Sequence, residues 1–256
     1  MVYAAGKTTE EIETKLNLTL KKLIEWCQLN RITINNRKSK TVLFGTRLAS
    51  NDKIKCLLGN TKLEQVDNYR YLGVDLDRHL NYDLCITNTI KKVNHKIWLL
   101  AKLRYYMTEN MAIKIYKGMI LPYFDYGDVV YMGGNTKLLN KLQVLQNRAL
   151  KVCLQVHKRY PTIELHKKCN ASLLTSRREM HLKILAHHYT TKPGYTATPR
   201  RDTRQMAAPV LLTAISNTKI YERSVLAMAA HAWNNQPTQQ RAIKSMDHYK
   251  RSLKKT

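Results

Sequence analysis

Acid is the scarce commodity in this sequence. Asp and Glu together number 18 against 44 Lys and Arg, so the 256-residue chain carries a formal charge of +26 and a pI near 10.0. Self-repulsion on that scale is best tolerated when a polyanion neutralises it. The imbalance points to nucleic acid or anionic lipid and away from small neutral metabolites. No apolar run approaches ~18 residues, which excludes a membrane-spanning helix. With only 9 Gly and 6 Pro the chain is neither collagen-like nor low-complexity. The opening MVYAAGKTTEEIE has no basic flank or long apolar run of a signal peptide. The five cysteines (Cys27, Cys56, Cys85, Cys153, Cys169) are odd in number and far apart, so no disulfide framework is expected and a reducing, intracellular setting is the better reading. His157, His166 and Cys169 lack the paired spacing of a zinc site and read as core or solvated residues.

Hydrophobic residues make up 44% of the chain, enough to fill a core. Val2–Ala5 is short and apolar and stops at Gly6, like the end of a buried strand. Thr8 and Glu11 form the S/T-x-x-E signature of a capped helix start, and Ile12, Leu16, Leu20, Leu23 and Cys27 follow at helical spacing to an end near Asn30. Ile32–Ile34 and Thr41–Phe44 are short β-like runs around a basic turn. Leu63–Val66 and Tyr69–Leu76 continue in that style, with Gly59-Asn60 and Asp67-Asn68 as turn signals. Beyond Asn81, Ile86, Ile90, Val93, Ile97 and Leu100 predict a long amphipathic helix. Met111–Leu121 predicts a second, stopped by Pro122, and Leu138, Leu142, Leu145, Ala149 and Val152 a third. Residues 162–190 add helical pieces, Thr190–Pro209 reads as an exposed loop, and 221–233 and 244–254 are short helices. The fold class expected is α+β and mostly helical, with a small N-terminal antiparallel sheet and one helix ahead of a helical body.

Candidate chemistry is sparse. Gly6-Lys7-Thr8 lacks the earlier glycine of a phosphate-cradling loop, and a helix cap explains it. Asp75 and Asp77 stand i, i+2 on one strand face, as a two-metal site wants, but a half-exposed strand end explains them as well and no third carboxylate is near. Asp125 and Asp128 flank a Tyr-Gly turn and read as turn formers. No nucleophilic triad has a local setting.

The cations carry more information. Residues 134–190 hold Lys137, Lys141, Arg148, Lys151, Lys158, Arg159, Lys167, Lys168, Arg177, Arg178 and Lys183, with Glu164 and Glu179 as the only acids. At ~100° per residue, Lys137, Lys141, Arg148 and Lys151 fall within about 80° of arc, about 100° from the centre of the leucine stripe. Such a stripe suits phosphate tracking, and a solvated face is the other reading. Tyr105, Tyr106, Tyr116, Tyr123, Tyr126 and Tyr131 interleave the basic helices and serve either as stacking partners or as core edges.

Residues 17–44 (NLTLKKLIEWCQLNRITINNRKSKTVLF) resemble the segment that follows the Tyr-Ala-Asp-Asp motif in non-LTR retrotransposon reverse transcriptases. YRYLGVDLD (69–77) is similar to that family's primer-grip hairpin, and ILPYFDYGDVVY (120–131) and LNKLQVLQNRALKVCL (139–154) to its thumb. ERSVLAMAAHAWNNQP and SMDHYKRSLKK resemble the end of such polyproteins. The likeness, read motif by motif, spans essentially the whole chain. It implies a partial palm with a primer-grip-like hairpin at 1–80, a helical thumb-like domain at 81–190, and a linker with a helical tail at 191–256. Aligned this way, the chain starts just past the catalytic aspartates. Matching Tyr3-Ala4-Ala5-Gly6 to the aspartate motif instead loses both acids. The resemblance therefore implies a truncated RNA-directed DNA polymerase, a nucleotidyltransferase fragment of a transposable element that is inactive alone. A basic nucleic-acid-binding module or a structural relic is the alternative. It further implies that Lys40 is the catalytic general acid toward pyrophosphate, and that Tyr71, Leu72 and Gly73 approach the primer strand. Lys40 as a solvated turn lysine is the other reading. The expected partners are RNA or an RNA–DNA duplex and the missing N-terminal polymerase part, with no membrane. No cofactor is expected on this chain, since Mg²⁺ belongs to the full-length family enzyme.

Overall fold

Thr8 opens the first helix through its hydroxyl, which accepts the Glu11 amide at 3.2 Å, while the Glu11 carboxylate accepts the Lys7 amide at 2.8 Å. One orphan donor of the first turn, the Glu11 amide, is thus satisfied, and the returning bond goes to the amide just before the N-cap, one residue earlier than in the usual capping box. In the computed structural model, residues 1–45, 52–191, 210–211 and 219–253 are described. The fold is α+β and mostly helical, and the chain divides into two compact units, Met1–Leu84 and Cys85–Thr256.

The first unit is built on α1 (Thr9–Leu29), whose Leu20 meets Leu43, Ile54, Cys56, Leu58 and Leu63 in one apolar cluster. Among the described residues, three two-stranded ladders complete it. β1 (Lys40–Thr41) pairs in parallel with β4 (Glu64–Gln65), whereas β2 (Leu57–Leu58) with β3 (Thr61–Lys62) and β5 (Asn68–Tyr71) with β6 (Val74–Asp77) are antiparallel. Asn17 and Glu13 on α1 bind backbone groups of Lys55 and Leu57, so the helix supplies hydrogen bonds that a further strand would otherwise make.

Two expected strands are absent. Among the described residues Val2–Ala5 has no ladder partner, and of these four only Val2 packs against the core cluster. Ile32–Ile34 is not a strand because the chain there is spent closing α1. Arg31 adopts φ 54°, its amide bonds the Gln28 carbonyl at 3.1 Å, and the Ile32 amide bonds the Cys27 carbonyl at 2.8 Å. That is a Schellman motif with arginine where glycine is usual, and it consumes the Ile32 amide, the first donor such a strand would need.

The second unit opens inside α2 (Asp83–Leu103), whose Ile86, Val93, Ile97 and Leu100 are buried as their spacing predicts. α3 (Glu109–Ile115) is capped by the Thr108 hydroxyl and passes into a π-turn, Tyr116–Ile120, then α4 (Leu121–Asp125). Pro122 does not stop this helix, contrary to the sequence expectation. The wider i→i+5 turn carries the Leu121 amide to the Tyr116 carbonyl, and proline follows within the first turn of α4, where it needs no amide partner. α5 (Asp128–Tyr131) and α6 (Thr136–Leu154) follow. Leu142, Leu145, Ala149 and Leu150 of α6 are buried, and so is Gln146, whose amide donates to the Tyr116 hydroxyl and the Ser172 carbonyl, both at 3.0 Å.

α7 (Thr162–Cys169) and α8 (Leu174–Thr190) come next, then α9 (Lys219–Glu222), α10 (Val225–Asn234), α11 (Thr238–Arg241) and α12 (Met246–Leu253). Leu182 and Ala186 of α8 form a second core with Ala229, Ala230, Trp233 and Tyr249. Most of the expected Thr190–Pro209 loop, and residue 254 of the last predicted helix, lie outside the described residues. All five cysteines are buried free thiols. Burial pushes the Cys153 thiol up to about 12 and Cys169 up to about 11, so neither is a thiolate nucleophile near neutral pH. Among the described residues no helix is long and apolar enough to cross a membrane.

Candidate nucleic-acid interface

The helical period places the four α6 cations beside, not on, the buried leucine face. Lys137, Lys141 and Arg148 are exposed and Lys151 is half-buried, its ammonium bonded to the Lys158 carbonyl. Arg148 reaches the Asn94 side-chain oxygen of α2 at 3.4 Å. None of the four forms an ion pair among the described residues. The stripe begins at a helix N-terminus capped by Asn135, whose side chain accepts the Lys137 amide at 3.1 Å. Ammonium and guanidinium groups whose charge no acid neutralises among the described residues, set on one rigid helix, are what a phosphate backbone recognises without reading bases.

Other cations of the same stretch are engaged differently, two groups by acids from outside it and one by an acid of its own helix. Arg177 grips Asp125 with two bonds, 2.9 and 2.6 Å, and His181 Nδ1 meets Asp128 Oδ2 at 2.6 Å. Lys183 pairs with Glu179 one turn away at 2.7 Å. Arg178 is 5% exposed and lies over the Tyr131 ring at 6.0 Å; among the described residues its Nε and Nη2 have no hydrogen-bond partner, and burial pulls the guanidinium below its ordinary value. Asp125 and Asp128 do bracket the Tyr-Gly turn, with Gly127 at φ 68°, but their carboxylates also tie that turn to α8. The sequence missed this network. Its only trace is an i, i+3 acid pair and an i, i+4 Arg–His pair more than fifty residues apart, and long-range pairing has no local signature.

In the first unit, the hairpin that resembles a primer grip forms at the expected residues. Tyr71 pairs with Val74 across a two-residue turn, Leu72 and Gly73, with φ 46° and 83°. Positive φ at both central positions defines a type I′ turn, which matches the right-handed twist of the strands. Leu72 is 74% exposed at its tip. Lys40 stands opposite Glu64 in the parallel ladder, and its ammonium is paired with that carboxylate. Asp77 accepts the amides of His79, Asn81 and Tyr82 and so caps the chain leaving β6, a structural role that uses both its oxygens. His166 is fully engaged by the Ala171 carbonyl and the Asn147 side chain, both at 2.8 Å.

Half of this chain is a region related to the reverse transcriptases of non-LTR retrotransposons. Over 131 residues, 50% of the chain, it is 30% identical to the RNA-directed DNA polymerase from mobile element jockey of Drosophila melanogaster, and 32% identical over the same length to that of Drosophila funebris. The probable RNA-directed DNA polymerase from transposon X-element of Drosophila melanogaster is 25% identical over 132 residues. In each case the chain spans about 14% of that relative's length. This covers less of the chain than the motif-by-motif resemblance does. No family model and no solved structure matches.

Proposed function

We propose that this chain is a part of a non-LTR retrotransposon RNA-directed DNA polymerase that holds RNA or an RNA–DNA duplex by its phosphates and does not polymerise alone. The observation that carries the reading is the acid-free cationic stripe of α6 in a chain whose relatives are such polymerases. Phosphoryl transfer by a two-metal mechanism needs a carboxylate pair open to metal and to substrate. Among the described residues, the one group of three metal-ligand side chains is Asp125, Asp128 and His181, with ligand atoms within 4.8 Å of one another. It does not fit Mg²⁺, because the Arg177 guanidinium already fills the Asp125 carboxylate and His181 holds Asp128. Lys40 acts as proton donor only in the whole enzyme, where catalytic carboxylates accompany it. Tyr71, Leu72 and Gly73 present backbone to the primer strand.

Two measurements test this. Primer extension by the purified chain with Mg²⁺ or Mn²⁺ stays at the no-protein level, and template-dependent incorporation overturns the inactivity. Titration of labelled RNA–DNA duplex at two salt concentrations gives saturable binding that falls steeply with salt. Replacing Lys137, Lys141, Arg148 and Lys151 together by Ala reduces the slope of log K against log salt by roughly 3, at ~0.7–0.9 per phosphate contact. Weak binding at both salts, with no slope to lose, leaves a structural relic.

A further inference from the structure

The face of α2 turned away from the core carries aromatic rings in solvent. Relative to the buried Ile86–Leu100 stripe, Lys91, His95, Trp98 and Lys102 all lie about 120–180° around the helix. Trp98 is 55% exposed, stacks on His95 at 6.1 Å with 22° between planes, and has the Lys102 ammonium over its ring at 5.8 Å. In the 3-10 turn that follows, Tyr105 and Tyr106 are 85% and 80% exposed and meet edge to face at 5.4 Å. From residue 84 to residue 108 the chain has no Asp or Glu. Large rings in water beside unopposed ammonium groups are costly to leave uncovered, and the pairing of ring face with cation suits a planar, anionic occupant.

We propose that Trp98 on this face, with Tyr105 and Tyr106 in the turn that follows it, is a stacking platform for unpaired nucleotides of a single-stranded nucleic acid. Charge complementarity selects that occupant over a second copy of this chain, which would bring the same lysines against these. The position selects it as well. Arg148 of the α6 stripe is bonded to Asn94, one turn before Trp98 on the same flank of α2. A strand whose phosphates lie on α6 therefore reaches the platform within a few nucleotides. The inference rests on the reading of α6 as a phosphate-binding helix but adds base contact, which that reading does not require.

The test uses the full chain and three probes of equal length: a single-stranded RNA, the same backbone with abasic sites, and a blunt RNA–DNA duplex. Trp98→Ala, checked for unchanged helicity because the side chain is in solvent, weakens the single strand by about tenfold and the duplex by less than about twofold. Tyr105→Ala with Tyr106→Ala weakens the single strand similarly, and the abasic probe binds the wild type as weakly as the normal strand binds Trp98→Ala. Equal binding of normal and abasic strands with duplex binding intact overturns the platform alone. Loss of all binding in the wild type overturns the α6 reading and the platform with it. A concentration-dependent dimer in sedimentation that Trp98→Ala abolishes also overturns the platform, and assigns the face to protein contact.

Discussion

At the scale of single residues, partners decide what a side chain does. Arg177 and Lys141 are both cations of the same basic stretch, yet one is locked to Asp125 by two hydrogen bonds and the other faces solvent. His181 lies in the first group. Its hydrogen bond to Asp128 raises its pKa above the ordinary 6.5, with the Asp128 and Asp125 charges adding to the effect against desolvation and Arg177. A raised folded-state pKa means the protonated pair stabilises fully below about 6.5 and the contribution is lost as pH climbs through the folded value. The urea midpoint therefore falls as pH rises above about 6.5, and His181→Gln flattens that fall. A variant with the same pH dependence as the wild type removes the pair from the account. Gly133 illustrates close approach. A Cβ there meets the Arg223 carbonyl oxygen at 2.6 Å, backbone that no rotamer change can move. Gly133→Ala costs about 1–3 kcal/mol, read as a Tm lower by roughly 3–10 °C. An unchanged Tm shows the two backbones separate freely.

Among the elements, the β5–β6 hairpin carries a visible local conflict. Its type I′ turn calls for Asn-Gly, and the first position is Leu72 at φ 46°. Leu72→Asn is expected to stabilise the first unit by about 0.5–1 kcal/mol by relieving that conformation, measured by denaturant unfolding. A loss of stability means the leucine's own contacts outweigh the backbone strain. From local signals alone Tyr69–Leu76 reads as one β-like run, and the hairpin is legible only through the resemblance to a primer grip, because a leucine at the first turn position hides the usual turn signal. The π-turn before Pro122 was not legible, because which of two helical hydrogen-bond patterns holds there depends on the packing of Tyr116 and Ile120, both buried. Nor was the Schellman closure at Arg31, where a non-glycine residue takes the left-handed position and so hides the usual mark.

Over the whole molecule, a net charge of +26 sets the dominant long-range term. The Debye length shrinks from about 30 Å at 0.01 M salt to about 10 Å at 0.1 M, so repulsion among like charges weakens over that range. Thermal scans are expected to show a higher midpoint at 0.1 M than at 0.01 M, and a further rise with a polyanion that binds the folded state. A midpoint insensitive to both means the charges are already balanced locally.

Composition and periodicity alone settled the excess of cations, the absence of a membrane-crossing helix, the long helices and their buried faces, and the angular offset of the α6 cations from the leucine stripe. These follow from covalent order and a fixed rotation per residue, so no tertiary information is needed. The sequence also carried the resemblance to reverse transcriptases, through motifs held in one order. Which cations are free and which are spent is different in kind. Arg177 and Asp125 are 52 positions apart, His181 and Asp128 are 53, and Arg148 and Asn94 are 54. Only the packing of α2, α4, α5, α6 and α8 brings these groups within hydrogen-bond reach, because charges attract through space and not along the chain.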